Sequence, residues 1–119
     1  MDRAQQHHRE RLGEAIRAEL TTIIEGELGD PRIGIVSVTE VHLNPDGKTV
    51  NAFVSVTGDE AQAERSFTGL MAAKGYIRRE LAERLGLQRA PEVVFQVDRS
   101  QKYGARIDEL LRRINKRPR

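Results

Sequence analysis

Apolar positions recur at spacings of three and four from early in the chain. Leu12, Ile16, Leu20 and Ile23, joined by Ile24 and Leu28, predict a helix over residues 9–28. Gly26, Gly29 and Pro31 mark its end region, and Asp30-Pro31-Arg32 reads as a turn. β-Branched residues then take over. They predict a strand over 33–43, a turn at Asn44-Pro45-Asp46-Gly47 and a second strand over 48–57, the two forming a hairpin. Val50, Ala52, Val54 and Val56 alternate cleanly onto one face. The first strand does not alternate cleanly. Ile33 and Ile35 share a parity with Val41 and Leu43, while Val36 and Val38 hold the other, as a bulge or two covered faces would explain.

Gly58 stops the second strand, and Asp59 with Gln62 has the spacing of a capping box. Ala63, Phe67, Leu70 and Met71 form one helical face; Ile77, Leu81 and Leu85 form another, ending at Gly86. Gly75 lies between them. Glycine inside a helix costs about 1 kcal/mol relative to alanine, so the pattern predicts two helices with a kink shaped by Ala73 and Gly75. Val93, Phe95 and Val97 alternate as a third strand after Ala90-Pro91, and Ile107, Leu110, Leu111 and Ile114 stripe a last helix over 101–114. The order is helix, strand, strand, helix, kink, helix, strand, then a C-terminal helix. This is the α+β order of a type II KH-like domain, a class that binds single-stranded nucleic acid. One domain spans residues 1–119, with a core over about 9–98 and a C-terminal helix and basic tail over about 99–119.

Composition narrows the chemistry. The 119 residues include no cysteine, which removes disulfides, thiolate metal sites and cysteine nucleophiles. His7, His8 and His42 have no carboxylates at helix-spaced ligand positions, so no metal site is expected. No stretch approaches about 18 apolar residues, and no apolar run follows a basic start, so neither a membrane span nor a signal peptide is expected and the cytoplasm is the default location. There is no P-loop pattern and no nucleophile elbow. Nothing nominates a catalytic group or a cofactor, and the chain reads as a non-enzyme.

The net charge of +2 hides an asymmetry. Residues 1–60 carry six Lys or Arg against eleven Asp or Glu, and residues 61–119 carry fourteen against seven. Sixteen of the twenty cations are Arg, whose planar fork matches phosphate. Gly26-Glu27-Leu28-Gly29 matches the KH Gly-x-x-Gly literally, but it ends helix one and its acidic neighbours would repel phosphate. The equivalent position between the paired helices reads Ala73-Lys74-Gly75. Around it lie Lys74, Arg78, Arg79, Arg84 and Arg89, the candidate phosphate contacts. Lys102 and Arg106 are second-rank candidates, with Arg32 at the Asp-Pro-Arg turn; Arg112 and Arg113 read as a solvated terminus. Five contacts would give a log–log salt slope of about −4. Reversing Lys74 and Arg78 to Glu is expected to weaken binding without changing thermal stability. Few aromatics are available for base reading, so phosphate and shape recognition of a folded RNA fits better. The competing reading is a protein-interaction module that uses the acidic helix one, the basic half being merely solvated.

The residues from 9 to 111 resemble the ribosome-binding factor A family. The marks are Asp30-Pro31-Arg32, the hairpin ending Val54-Ser55-Val56, and Gly75-Tyr76-Ile77-Arg78-Arg79-Glu80-Leu81. Pro91-Glu92 before Val93-Val94-Phe95, Asp98 with Ser100, and Gly104-Ala105-Arg106-Ile107 with Leu110-Leu111 complete them. The resemblance implies a kinked type II KH-like fold and an Ala-x-Gly element at Ala73-Lys74-Gly75. It implies a cofactor-free assembly factor that binds the free 30S small ribosomal subunit and its 16S rRNA; a monomer is the default state. Such a factor supports late maturation and 5′-end processing of that RNA, matters most in the cold, and leaves with help from an assembly GTPase.

Overall fold

The computed structural model describes residues 3–116. Helix α1 spans Arg3–Thr22 and passes directly into a π-helical segment, Ile23–Glu27. The widened turn lets Ile23 and Ile24 both enter the core, at 0% and 3% exposure. It also carries Glu25 to the sheet, where Oε2 accepts the Val38 N–H at 2.9 Å. The helix therefore starts earlier than the apolar stripe alone predicts, because its first turns are exposed and polar.

Strands β1 (Val36–Leu43), β2 (Thr49–Val56) and β3 (Glu92–Val97) form one sheet in that order. β1 pairs antiparallel to β2, and β3 parallel to it. Val38 faces Val54 and Glu40 faces Phe53, so Thr39 is the extra residue of a bulge. That bulge explains the broken parity: Val36, Val38, Val41 and Leu43 all register with the inner face of β2. β1 starts later than expected. Residues 33 and 34 pack on a helix instead, with Ile33 filling the space beside Gly69, where a Cβ would stand 2.5 Å from Ile33 Cγ1, and the Gly34 N–H donating to Ser66 Oγ.

The crossover from β2 to β3 is α2, Glu60–Leu85. Its start is the capping box read from the sequence: Asp59 Oδ1 accepts the Gln62 N–H at 2.9 Å, and Gln62 Oε1 accepts the Asp59 N–H at 2.8 Å. Gly86 ends it at φ 62°. The expected interruption at Gly75 is not a break. One hydrogen-bonded helix of 26 residues runs through it, because Phe67, Leu70, Ile77 and Leu81 on either side bury against one core. That burial outweighs a glycine's helix cost of about 1 kcal/mol.

Helix α3 spans Ala105–Ile114. The expected first turn at 101–104 is extended, because Gln101 and Tyr103 serve β2 instead. Gln101 Oε1 accepts the Val56 N–H at 3.2 Å, and Gln101 Nε2 and Tyr103 Oη donate to the Val56 carbonyl. α3 runs beside α2 in the same direction. The Gly104 N–H donates to Glu60, Arg106 approaches Glu64, and Lys74 reaches the Ile114 carbonyl. The core lies between the helices and the sheet face bearing Val50, Ala52, Val54, Val56, Val93 and Phe95. The other sheet face carries polar side chains around Phe53, which Arg99 covers at 5.1 Å and His42 meets edge-on at 6.0 Å.

Candidate nucleic-acid interface

The basic half of the chain does not form one patch. α2 presents three stripes: a core stripe, a side facing α1 and the 30–35 loop, and an outward stripe through Ala72, Gly75, Tyr76 and Arg79. Which stripe a cation occupies decides whether it can meet a phosphate.

Lys74 faces inward. Its side chain is 17% exposed, and Nζ donates to the Ile114 carbonyl at 2.7 Å with Glu92 Oε1 at 3.9 Å. Burial lowers its pKa, Glu92 opposes that, and Arg78 adds to it. The ammonium caps the carbonyl end of α3, a favourable position beside a helix C-terminus. Its contact is thus intramolecular, and reversing its charge would place a carboxylate beside a carbonyl and Glu92. Unchanged thermal stability is not expected of that change.

Arg84 is also committed. Its guanidinium meets Glu19 at 3.4 Å, Glu27 at 2.5 Å and Glu80 at 3.0 Å, joining α1, the π segment and α2. The hydrogen bonds it donates to Glu27 and Glu80 raise its pKa. This bridge also occupies acidic groups of the first helical region. Arg32 forms a fork with Asp30, donating Nε at 3.0 Å and Nη2 at 2.5 Å. Those bonds hold the Asp30 carboxyl down to about 2.

Arg78 is half-buried. Nη2 lies 3.5 Å from the Ala90 carbonyl, and buried Nε has no hydrogen-bond partner among the described residues. Arg79 and Arg89 are exposed and make no hydrogen bond or ion pair among the described residues. Gly75 is exposed on the helix between Arg79 and Ala72. A Cβ there would meet only Arg79 Nη1, at 3.7 Å. Ala73 packs partly against the core. Tyr76 is 37% exposed beside Gly75. The structure therefore places Arg78 and Arg79 with Gly75 and Tyr76 on the C-terminal half of α2, and brings the loop carrying Arg89 to Arg78 through Ala90.

Lys102 and Arg106 lie elsewhere. Arg106 is 80% exposed and only 3.7 Å from Glu64, near the start of α2. Glu64 and Arg78 are fourteen residues apart, about 21 Å along a helix. Lys102 is exposed in the same region of the chain. Conversely, the parallel packing of α3 brings Arg113 and Lys116 toward Lys74, a neighbourhood not predicted from the sequence. Arg65 was missed as well. The seven-residue steps from Arg65 to Ala72 to Arg79 were the available signal. The described residues contain no group of three or more His, Asp or Glu arranged to hold a metal.

A family model described as ribosome-binding factor A matches residues 8–111, from α1 into α3. The chain belongs to the ribosome-binding factor A family. A ribosome-binding factor A from Koribacter versatilis is 56% identical over 115 residues, covering 97% of this chain and 94% of that protein. The crystal structure of ribosome-binding factor A from Thermus thermophilus is 26% identical with a TM-score of 0.67, over 79% of this chain and 99% of that one. A homology model of Thermus thermophilus ribosome-binding factor A, fitted into a cryo-EM map of a complex of the 30S subunit with that factor, is 26% identical with a TM-score of 0.54. It covers 74% of this chain and 97% of its own. Membership of the ribosome-binding factor A family agrees with the α+β, KH-like fold described above. No helix among the described residues is long and apolar enough to cross a membrane.

Proposed function

We propose that this chain is a non-enzymatic assembly factor that binds the free 30S ribosomal subunit through its 16S rRNA. The observation that carries the reading is the exposed end of α2. Arg79 stands there, and Arg89 in the loop that follows, each without a hydrogen-bond or ion-pair partner among the described residues, and one turn before Arg79 the outward side of Gly75 is open. An RNA backbone can approach a helix closely where the side chain is only a hydrogen, and guanidinium groups on either side neutralise its phosphates. A family member fitted to a 30S complex supports the choice of the small subunit as partner.

On this reading Arg78, Arg79 and Arg89 contact phosphate directly, and Tyr76 lies within the same surface. Lys74 and Arg84 support the surface from within the fold, while Lys102, Arg106 and Arg32, which is exposed and paired with Asp30, are peripheral. The factor acts as a cytoplasmic monomer without a cofactor. It supports late maturation, including processing of the 16S rRNA 5′ end, and an assembly GTPase promotes its release.

Co-sedimentation across a salt series tests the reading. Selective pelleting with purified 30S subunits, over 50S subunits and transfer RNA, is the expected result. Equal, salt-labile binding to all three would reduce the surface to a generic basic face. Absence of binding to any of them would overturn the proposal.

A further inference from the structure

The loop before β1 displays an aliphatic side chain on a rigid frame. Ile35 is 72% exposed, more than any other bulky hydrophobic residue among the described residues. Its backbone is firmly held. The Ile35 carbonyl accepts the Thr57 N–H at 3.0 Å, and the Gly34 N–H donates to Ser66 Oγ at 3.0 Å. Ile33 is seated over Gly69 immediately before it. A scattered exposed isoleucine needs no explanation by itself. This one forms a wall of a cleft of about 290 Å³, shared with Arg32 and Arg65.

The cleft is lined by arginine without acidic lining residues, and of its two arginines Arg32 is paired with Asp30. Arg65 has no hydrogen-bond or ion-pair partner among the described residues. Arg32 spends Nε and Nη2 on Asp30 and keeps Nη1. The acidic groups on the flanking segments are engaged elsewhere: Asp59 caps α2, Glu60 accepts the Gly104 N–H, and Glu64 faces Arg106.

We propose that this cleft docks a protein segment bearing carboxylates beside an apolar side chain, presented by a protein of the small subunit. The arginines complement the carboxylates, and Ile35 supplies the apolar anchor that the centre of a protein interface requires. A strand of RNA fits less well. It would engage the guanidiniums but leave Ile35 without a partner, since an aliphatic side chain offers no π-face to a base. The cleft is separate from the RNA surface, because Arg65 and Arg79 lie about 21 Å apart along α2.

The inference rests on the small-subunit reading, and one experiment separates the two. A photo-crosslinking phenylalanine is placed at position 35 or at position 79 of the full chain, which is then irradiated with purified 30S subunits. Position 79 is expected to label 16S rRNA. Position 35 is expected to label a ribosomal protein, at a peptide with Asp or Glu next to an apolar residue. Labelling of RNA, or no labelling, from position 35 while position 79 labels RNA overturns the docking site and leaves the RNA surface standing. Failure of the unmodified chain to pellet with 30S subunits overturns both. The Ile35→Ser, Arg65→Glu double variant gives a second readout. Its affinity for 30S subunits is expected to fall about tenfold at unchanged melting temperature, and unchanged affinity would reject the site.

Discussion

Asn115 pairs with the backbone of Phe95 as a strand would. Its Oδ1 accepts the Phe95 N–H and its Nδ2 donates to the Phe95 carbonyl, each at 2.8 Å. The pairing blocks the outer edge of β3 and fixes the end of α3 to the sheet. Glu25 does the same for β1 through the Val38 N–H. A three-stranded sheet with two edges thus has a polar side chain on each, which discourages pairing with another chain. Asn115→Ala leaves both Phe95 groups without these partners and should cost about 1–3 kcal/mol in urea unfolding. A stability equal to the parent's would show that the edge is not held this way.

Gly75→Ala should separate stability from binding. Gly75 does not have a positive φ, and a methyl there meets nothing closer than Arg79 Nη1 at 3.7 Å. Helix propensity then favours alanine by about 0.5–1 kcal/mol. On the proposed surface the same methyl occupies the place of approaching phosphate. Denaturation is expected to show a more stable protein, and co-sedimentation a weaker complex. A variant that gains stability and binds equally well would remove Gly75 from the interface.

The two kinds of arginine on α2 and the loop after it should behave oppositely. Arg79→Glu with Arg89→Glu should weaken 30S binding and reduce the magnitude of the log–log salt slope by about 0.7–0.9 for each lost contact, at nearly unchanged stability. Arg84→Ala should lower the melting temperature, because Glu19, Glu27 and Glu80 lose their shared cation. Its folded fraction should still pellet. Parallel melting and pelleting curves decide the case, and interchange of the two phenotypes would refute the assignment.

Acid should loosen the 30–32 turn in a defined window. The Asp30 carboxyl is held at about 2 against an ordinary 3.8, chiefly by hydrogen bonds from Arg32. A depressed carboxylate pKa contributes stability that is complete above the ordinary value and disappears as pH falls through the folded one. The parent should therefore lose this contribution between about pH 4 and pH 2. Asp30→Asn should be less stable at neutral pH and show a shallower decline across that window. Urea midpoints measured at successive pH values test this, and identical slopes for the two proteins would contradict it.

Much of the fold was readable because single positions carried it. The Asp59–Gln62 spacing, Gly86 and the valine alternation in β2 each have a local physical cause, and each stands where expected. The parity fault in β1 announced the Thr39 bulge. The continuity of α2 through Gly75 was not readable, since it depends on core contacts on both sides of a locally unfavourable residue. The site was less legible for a related reason. Composition ranks Lys74 and Arg84 with Arg79, yet the fold turns the first toward Ile114 and surrounds the second with glutamates. Charge is a property of the sequence, but whether a charge is already spent depends on distant segments such as Glu19 and Glu27.

The Thr39 bulge has a consequence for how this strand can change length. Val36, Val38, Val41 and Leu43 all point inward because one surplus residue sits between the two pairs. Removing Thr39 or Glu40 would leave the same four side chains in strict alternation. Removing Ser37 or His42 would turn a valine or a leucine toward solvent. Natural shortening of β1 should therefore be concentrated at the bulge, making it the place where the strand can lose a residue and keep its inward face.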